Sequence, residues 1–141
     1  MKKLIALLLA MVMVLGLAAC GTKTENGGST GLKIGMVTDV GGVNDQSFNQ
    51  GAWEGLQALA NADKTFTVNY LESKTDADYA SNIQTFLDDK YDLIICVGYM
   101  LANATREAAQ ANPDQKFAII DDNTNADLPN VACLMFAQEQ C

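Results

Sequence analysis

Short apolar runs alternate with stretches of helical periodicity along most of this chain, and that alternation limits the fold more than any other feature. Lys33–Thr38 is an apolar run ending in Asp39, and Asp92–Gly98 (D-L-I-I-C-V-G) is the clearest buried strand. Phe117–Ile120 and Val131–Phe136 are two more. Runs apolar at nearly every position suit parallel strands buried on both faces. Thr65–Leu71 instead alternates, with Phe66, Val68 and Tyr70 on one face, and predicts a further strand. Between the strands, Phe48, Ala52, Leu56 and Leu59 recur at helical spacing, as do Tyr79, Ile83, Phe86 and Leu87. A third helix is predicted over about Leu101–Ala111, stopped by Asn112-Pro113. The order β-α-β-α-β-α-β-β predicts an α/β fold: a parallel sheet with helices on both faces, joined by right-handed crossovers.

Local signals refine the helix starts. Ser47-x-x-Gln50 matches a capping box, with Asn44 and Asp45 as competing caps. Thr75 or Asp76 is predicted to open the second helix, with Asp76 and Asp78 placed to interact with its dipole. Trp53 lies off the centre of its stripe, which suggests packing at the helix–sheet edge.

The first residues read as a targeting segment. Lys2 and Lys3 precede an uncharged run, Leu4–Leu17, that is shorter than the roughly 20 residues a membrane span needs. Leu17-Ala18-Ala19-Cys20 resembles a bacterial lipobox, so residues 1–19 are expected to be a signal peptide and Cys20 the lipidated residue. Thr22–Gly31 is rich in Gly, Ser and Thr and reads as a tether. The expected organisation is signal peptide 1–19, lipidated cysteine and tether 20–31, and one α/β lobe over 32–141. The polar stretch Gln138–Cys141 follows a strand without a covering helix, so the lobe is expected to be incomplete.

Charge and composition exclude several classes. With 17 acidic against 9 basic residues and a formal charge of −8, the chain lacks the basic footprint of a nucleic-acid partner. It has no histidine and no C-x-x-C, which argues against a zinc centre or a histidine-based triad. Cys96 and Cys133 fall in apolar runs and read as small core residues, not as a disulfide. No cofactor is implied.

Residues just past the strands carry the remaining chemistry: Asp39, Asn44, Asp45, Phe48 and Asn49 after the first, Gly98, Tyr99 and Met100 after the third, and Asp121, Asp122 and Asn123 after the fourth. In parallel α/β sheets ligands bind at this edge. The set contains carboxylates, amides and aromatic rings but no lysine or arginine, and Gly41-Gly42-Val43-Asn44 does not fit a G-x-G-x-x-G fingerprint. That disfavours phosphate and favours a neutral ligand rich in hydroxyls. Phe48 and Tyr99 are candidate stacking platforms, although Phe48 also belongs to the apolar stripe and core packing explains it equally well. Mg²⁺ held by Asp39, Asp45, Asp121 and Asp122 in an enzyme is a separate possibility.

The segment G-M-V-T-D-V-G-G-V-N-D-Q-S-F-N-Q-G-A-W-E-G-L, with V-G-Y-M and K-F-A-I-I-D-D further on, closely resembles the basic membrane protein family. These are purine nucleoside receptor-like substrate-binding lipoproteins of ABC transporters. The resemblance implies the N-terminal lobe of a type I periplasmic-binding-protein fold, in which two lobes close over a nucleoside. It further implies ligand contacts from Asp39, Asp45, Phe48, Asn49 and Asp121, with Phe48 stacking on the base and Asp121 holding the ribose hydroxyls. Asn44, Asp122 and Tyr99 are further candidates near the cleft. The implied partners are a nucleoside, ABC permease subunits and the membrane through the lipid on Cys20. The implied location is the extracytoplasmic face of the cell membrane, and the implied role is binding, not catalysis. A sugar-binding lipoprotein of the same fold is the alternative. A single lobe is expected to bind nucleosides weakly or not at all.

Overall fold

A computed structural model describes residues 31–136. The expectations for the signal peptide, the Cys20 anchor, all but the last residue of the tether and the tail Gln138–Cys141 fall outside the described residues. Five strands are present: β1 (Lys33–Val37), β2 (Thr67–Leu71), β3 (Leu93–Val97), β4 (Lys116–Ile120) and β5 (Val131–Leu134). Three helices connect the first four: α1 (Phe48–Ala62), α2 (Asp78–Asp88) and α3 (Ala102–Ala111), the last entered through a 3₁₀ turn, Tyr99–Leu101. The sheet is parallel throughout, in the order β2-β1-β3-β4-β5. The sequence-predicted α/β class and order therefore hold.

Helices cover both faces, and the strand alternation decides which residue meets which helix. On β1, Ile34 and Met36 pack with Leu56 of α1. The other face puts Val37 with Tyr79, Ile83 and Phe86 of α2 and Ala109 of α3. Gly35 belongs to that second face. A Cβ there would fall 2.6–2.8 Å from the Phe86 ring, so the absent side chain is what lets the phenylalanine lie directly on the sheet. Phe86 is 3% exposed and touches Tyr91 with ring centroids 4.6 Å apart.

Several local expectations are revised. Ser47 precedes α1, yet its side chain makes no capping bond. Asp45 does the capping: its Oδ1 accepts from Ser47 N and Gln50 N at 2.8 and 3.0 Å, and its Oδ2 from Asn49 N at 3.2 Å. A charged carboxylate three residues before the helix reaches three free amides at once, which a hydroxyl cannot match. Gln50 Oε1 accepts instead from Gln46 N. Leu59, expected on the buried stripe, is 36% exposed near the end of α1. The second helix starts at Asp78 rather than Thr75 or Asp76, because Asp78 Oδ2 accepts from Lys74 N and Thr75 N and folds them into a turn. Cys96 is fully buried but Cys133 only partly so; both are free thiols. Trp53 does pack at the helix–sheet edge, 4.7 Å from Tyr70 of the outer strand β2.

Gly35→Val is expected to destabilise the fold by about 1–3 kcal/mol, the usual range for overpacking. Urea denaturation measures it, and an unchanged midpoint would refute the close approach of Phe86.

Candidate functional site

The order 2-1-3-4-5 reverses direction between β1 and β3. The chain leaves these neighbouring strands toward opposite faces, which opens a crevice at their carboxyl ends. The strand register names the residues on its rim. Val37 pairs with Cys96, so two residues further on Asp39 stands opposite Gly98. Val97 pairs with Ile120, so Gly98 in turn stands opposite Asp121. Asp39, Gly98 and Asp121 thus form one row across β1, β3 and β4.

Gly98 makes that row possible. Its φ is +95°, and a Cβ at this position would lie 3.2 Å from Asp39 Oδ2. A side chain would both strain the backbone and crowd the carboxylate. Asp39 Oδ1 accepts from Gly41 N at 2.8 Å and from Asn49 Nδ2 at 2.7 Å. Among the described residues no donor reaches Oδ2, which is left facing the row.

Asp121 is held differently. It occupies the left-handed region at φ +63°, a conformation that costs a non-glycine residue on the order of 1–2 kcal/mol. Its amide donates to Leu134 O of β5 at 2.8 Å, which pays part of that cost. No donor among the described residues reaches its carboxylate. Asp122, next in sequence, turns the other way: it is 9% exposed, and its Oδ1 accepts from Thr124 N at 2.8 Å and Thr124 Oγ1 at 2.6 Å. The loop is tied down further by Arg106 of α3, which donates to Asp127 and to Thr124 O, and by Asn125 Nδ2, which donates to Ala102 O.

Asn49 joins the two ends of the first loop. It is 1% exposed, and its Nδ2 donates to Asp39 Oδ1 and also to Asp45 Oδ2, at 2.9 Å. Ionised carboxylates only accept, so the amide can sit only this way round. Its Oδ1 is left buried and without a donor among the described residues. Burial pushes the Asp45 carboxyl up, but the amides of Gln50, Ser47 and Asn49 and the Asn49 side chain outweigh it and hold the group below its ordinary value.

The remaining predicted residues lie around this row without converging on it. Asn44 is exposed, and its side chain makes no hydrogen bond among the described residues. Tyr99 is 65% exposed in the turn after β3. Phe48 is half-buried against the α1–sheet core. The four aspartates do not assemble: among the described residues no three His, Cys, Asp or Glu side chains could hold a metal ion. Asp45 and Asp122 are turned into their own loops.

Sequence reasoning missed Glu72, just past β2. Its Oε1 accepts from Val43 N at 3.0 Å, and its Oε2 pairs with Lys74 at 2.7 Å. The Lys74 bond and the Val43 amide hold this carboxyl below its usual range. Glu72 thereby pins the Gly-Gly turn to the sheet, and Lys74, two residues further along the chain, is already paired with it. A cavity of about 560 Å³ lies at the opposite edge among Leu32, Tyr91, Leu93 and Lys116, away from the strand ends where the free carboxylates stand.

A family model described as "ABC transporter substrate-binding protein PnrA-like" matches residues 32–141. The CD4+ T-cell-stimulating antigen of Listeria monocytogenes is 41% identical over 96% of this chain and 41% of its own length. The ABC transporter nucleoside-binding protein BmpA of Lactococcus lactis is 37% identical over 99% of this chain and 42% of its own. An uncharacterised lipoprotein of Pyrococcus horikoshii is 32% identical over 97% of this chain and 34% of its own. The chain thus spans about two fifths or less of the length of these relatives. Among solved structures, an ABC transporter solute-binding protein of Aeropyrum pernix superposes with a TM-score of 0.67 and 30% identity, over 74% of this chain and 28% of that one.

Asp45→Ala is expected to lower stability by about 1–2 kcal/mol at pH 7, the usual cost of losing a helix cap. The lowered folded pKa means that the contribution is present above the unfolded aspartate value and disappears as pH falls through the folded one. Denaturation midpoints of the two proteins should therefore converge in acid, and equal midpoints at pH 7 would refute the capping role.

Proposed function

The chain belongs to the PnrA-like family of ABC transporter substrate-binding proteins, and from that premise we propose that residues 32–141 form one wall of a nucleoside-binding cleft. The observation that carries the reading is the row Asp39–Gly98–Asp121, which offers two carboxylates without a cation partner among the described residues; Ile120, the residue before Asp121, lines the same cleft as Phe48. An ionised aspartate accepts hydrogen bonds from hydroxyls, each contributing on the order of 1.5–3 kcal/mol when charge-assisted. Two such groups and no adjacent cation suit a neutral polyol and repel a phosphate. Asp121 faces the ribose hydroxyls from β4, and Asp39 Oδ2 from β1. Phe48 supplies the flat apolar surface that distinguishes a nucleoside, purine in particular, from a free sugar. The buried Asn49 Oδ1 is a ready acceptor for an N–H or O–H of the ligand or of a water between them.

In this reading Asp45, Asp122 and Glu72 build the loops, and their oxygens serve the backbone instead of the ligand. Asn44 and Tyr99 lie at the rim, where they meet the second lobe or the entering ligand. The protein carries no chemistry of its own: it captures the nucleoside and passes it to an ABC permease. Cys20 holds it by a lipid to the extracytoplasmic face of the membrane after residues 1–19 are removed, with 20–31 as the tether. The lipoprotein name of the Pyrococcus relative agrees with that placement.

One wall binds weakly, because closure of a second lobe supplies much of the buried area. Titrating the chain with inosine, followed by amide NMR shifts, should show millimolar binding with the shifts centred on Asp39, Asn49, Gly98 and Asp121. Asp39→Asn or Asp121→Asn should each weaken it about tenfold or more, the weight of one charge-assisted bond. Ribose alone should bind less well than inosine. Submicromolar binding, or shifts gathered at the far edge near Tyr91 and Lys116, would contradict the proposal.

A further inference from the structure

The ring of Phe48 does not stand open to the crevice. Phe136, two residues past β5, lies against it with ring centroids 5.3 Å apart and planes inclined by 29°. That is a stacked pair at an ordinary aromatic separation. The two rings close a cleft of about 300 Å³ whose other walls are Ser47, Gly51, Ala52 and Ile120. Gly51 and Ala52 lie on the first turns of α1, and Ile120 ends β4 immediately before Asp121.

The two rings are not equally fixed. Phe48 is held by α1 and packs with Ala52 and Ile120 against the core. Phe136 lies two residues beyond the end of β5 and is 51% exposed. If one ring leaves the pair, it is Phe136. A planar base inserted between two rings needs roughly 7 Å from one ring to the other, two van der Waals contacts of about 3.5 Å. The observed pair has no room for it.

We infer that Phe136 is a built-in competitor for the Phe48 ring face, which a ligand base can occupy only by displacing it. This rests on the nucleoside reading above and adds a residue to which that reading assigns no part. The exchange swaps one aromatic contact for another, so the base gains only the difference, and apparent affinity falls by the population in which Phe136 covers the ring. The position also connects the two halves of the ligand. Leu134, two residues before Phe136, accepts the Asp121 amide hydrogen bond at 2.8 Å, so the segment that carries the competing ring also holds the carboxylate row.

The test titrates inosine into the chain and into Phe136→Ala, Phe136→Leu and Phe48→Leu, following the amide shifts of Gly98 and Asp121. Both Phe136 variants should bind inosine more tightly, by about threefold or more, the weight of one aromatic pair. Ribose, which has no base, should bind all the Phe136 variants as it binds the parent. Phe48→Leu should weaken inosine and abolish the gain when combined with Phe136→Ala. Unchanged or weaker inosine binding by both Phe136 variants overturns the inference, weaker binding meaning that Phe136 is itself a wall of the base site. If Phe48→Leu leaves inosine untouched while Asp121→Asn weakens it, base stacking on Phe48 fails and the competition fails with it, although the diol contacts survive. If inosine shifts neither Gly98 nor Asp121 in any of the proteins, the nucleoside reading falls as well.

Discussion

Two carboxylates lean on a single buried amide where β1 hands over to α1. Asn49 Nδ2 reaches Asp39 at 2.7 Å and Asp45 at 2.9 Å, and each aspartate then organises a different piece of chain. Asp45 gathers the free amides at the start of the helix. Asp39 closes the Gly41 turn with one oxygen and keeps the other for the row it shares with Gly98 and Asp121. Two like charges that share one amide nitrogen are tolerable only because donors lie between and around them. Removing the amide would leave them to repel and would loosen both the helix start and the Asp39 carboxylate. The geometry of the crevice thus depends on an interaction that is itself almost wholly buried.

The same economy recurs around the rim. Of the acidic residues past the strand ends, Asp45, Asp122 and Glu72 spend their oxygens on backbone amides and neighbouring side chains, and so hold loops at a parallel-sheet edge. Asp39 Oδ2 and Asp121 receive no donor among the described residues, and Asp121 is kept in a strained backbone conformation. In the proposed reading, strain and unpaired charge at a topological switch point preorganise the row for a ligand's hydroxyls. The same reading makes the row selective, since a phosphate would meet two carboxylates and no cation among the described residues.

The fold was largely legible in the amino-acid sequence because four of its strands are apolar enough to be recognised individually, and the helices between them repeat at helical spacing. What was not legible depended on contacts far apart in sequence or on backbone angles. Asp121 and Asp122 are indistinguishable as letters; only the left-handed turn separates the carboxylate facing the row from the one stapled to Thr124. The Ser47–Gln50 pattern is a genuine capping signature, overridden by a charged competitor two residues earlier. Asn49 was flagged as a site residue, but its near-complete burial was not foreseeable, because a polar residue beside Phe48 reads as surface until the end of β1 is placed against it. Glu72 and Phe136 carried no local signal at all. Each matters through a partner distant in sequence, Val43 and Phe48 respectively.

The central claim is that the Asp39–Asp121 row receives the hydroxyls of a ribose. The most direct measurement compares inosine with 2′,3′-dideoxyinosine on the same protein, since the base and its stacking are kept and only the diol is lost. Binding to the dideoxy compound weaker by about tenfold or more is expected, the cost of leaving at least one charge-assisted acceptor unmet. Equal affinities for the two would contradict the claim and leave the two carboxylates without a ligand role.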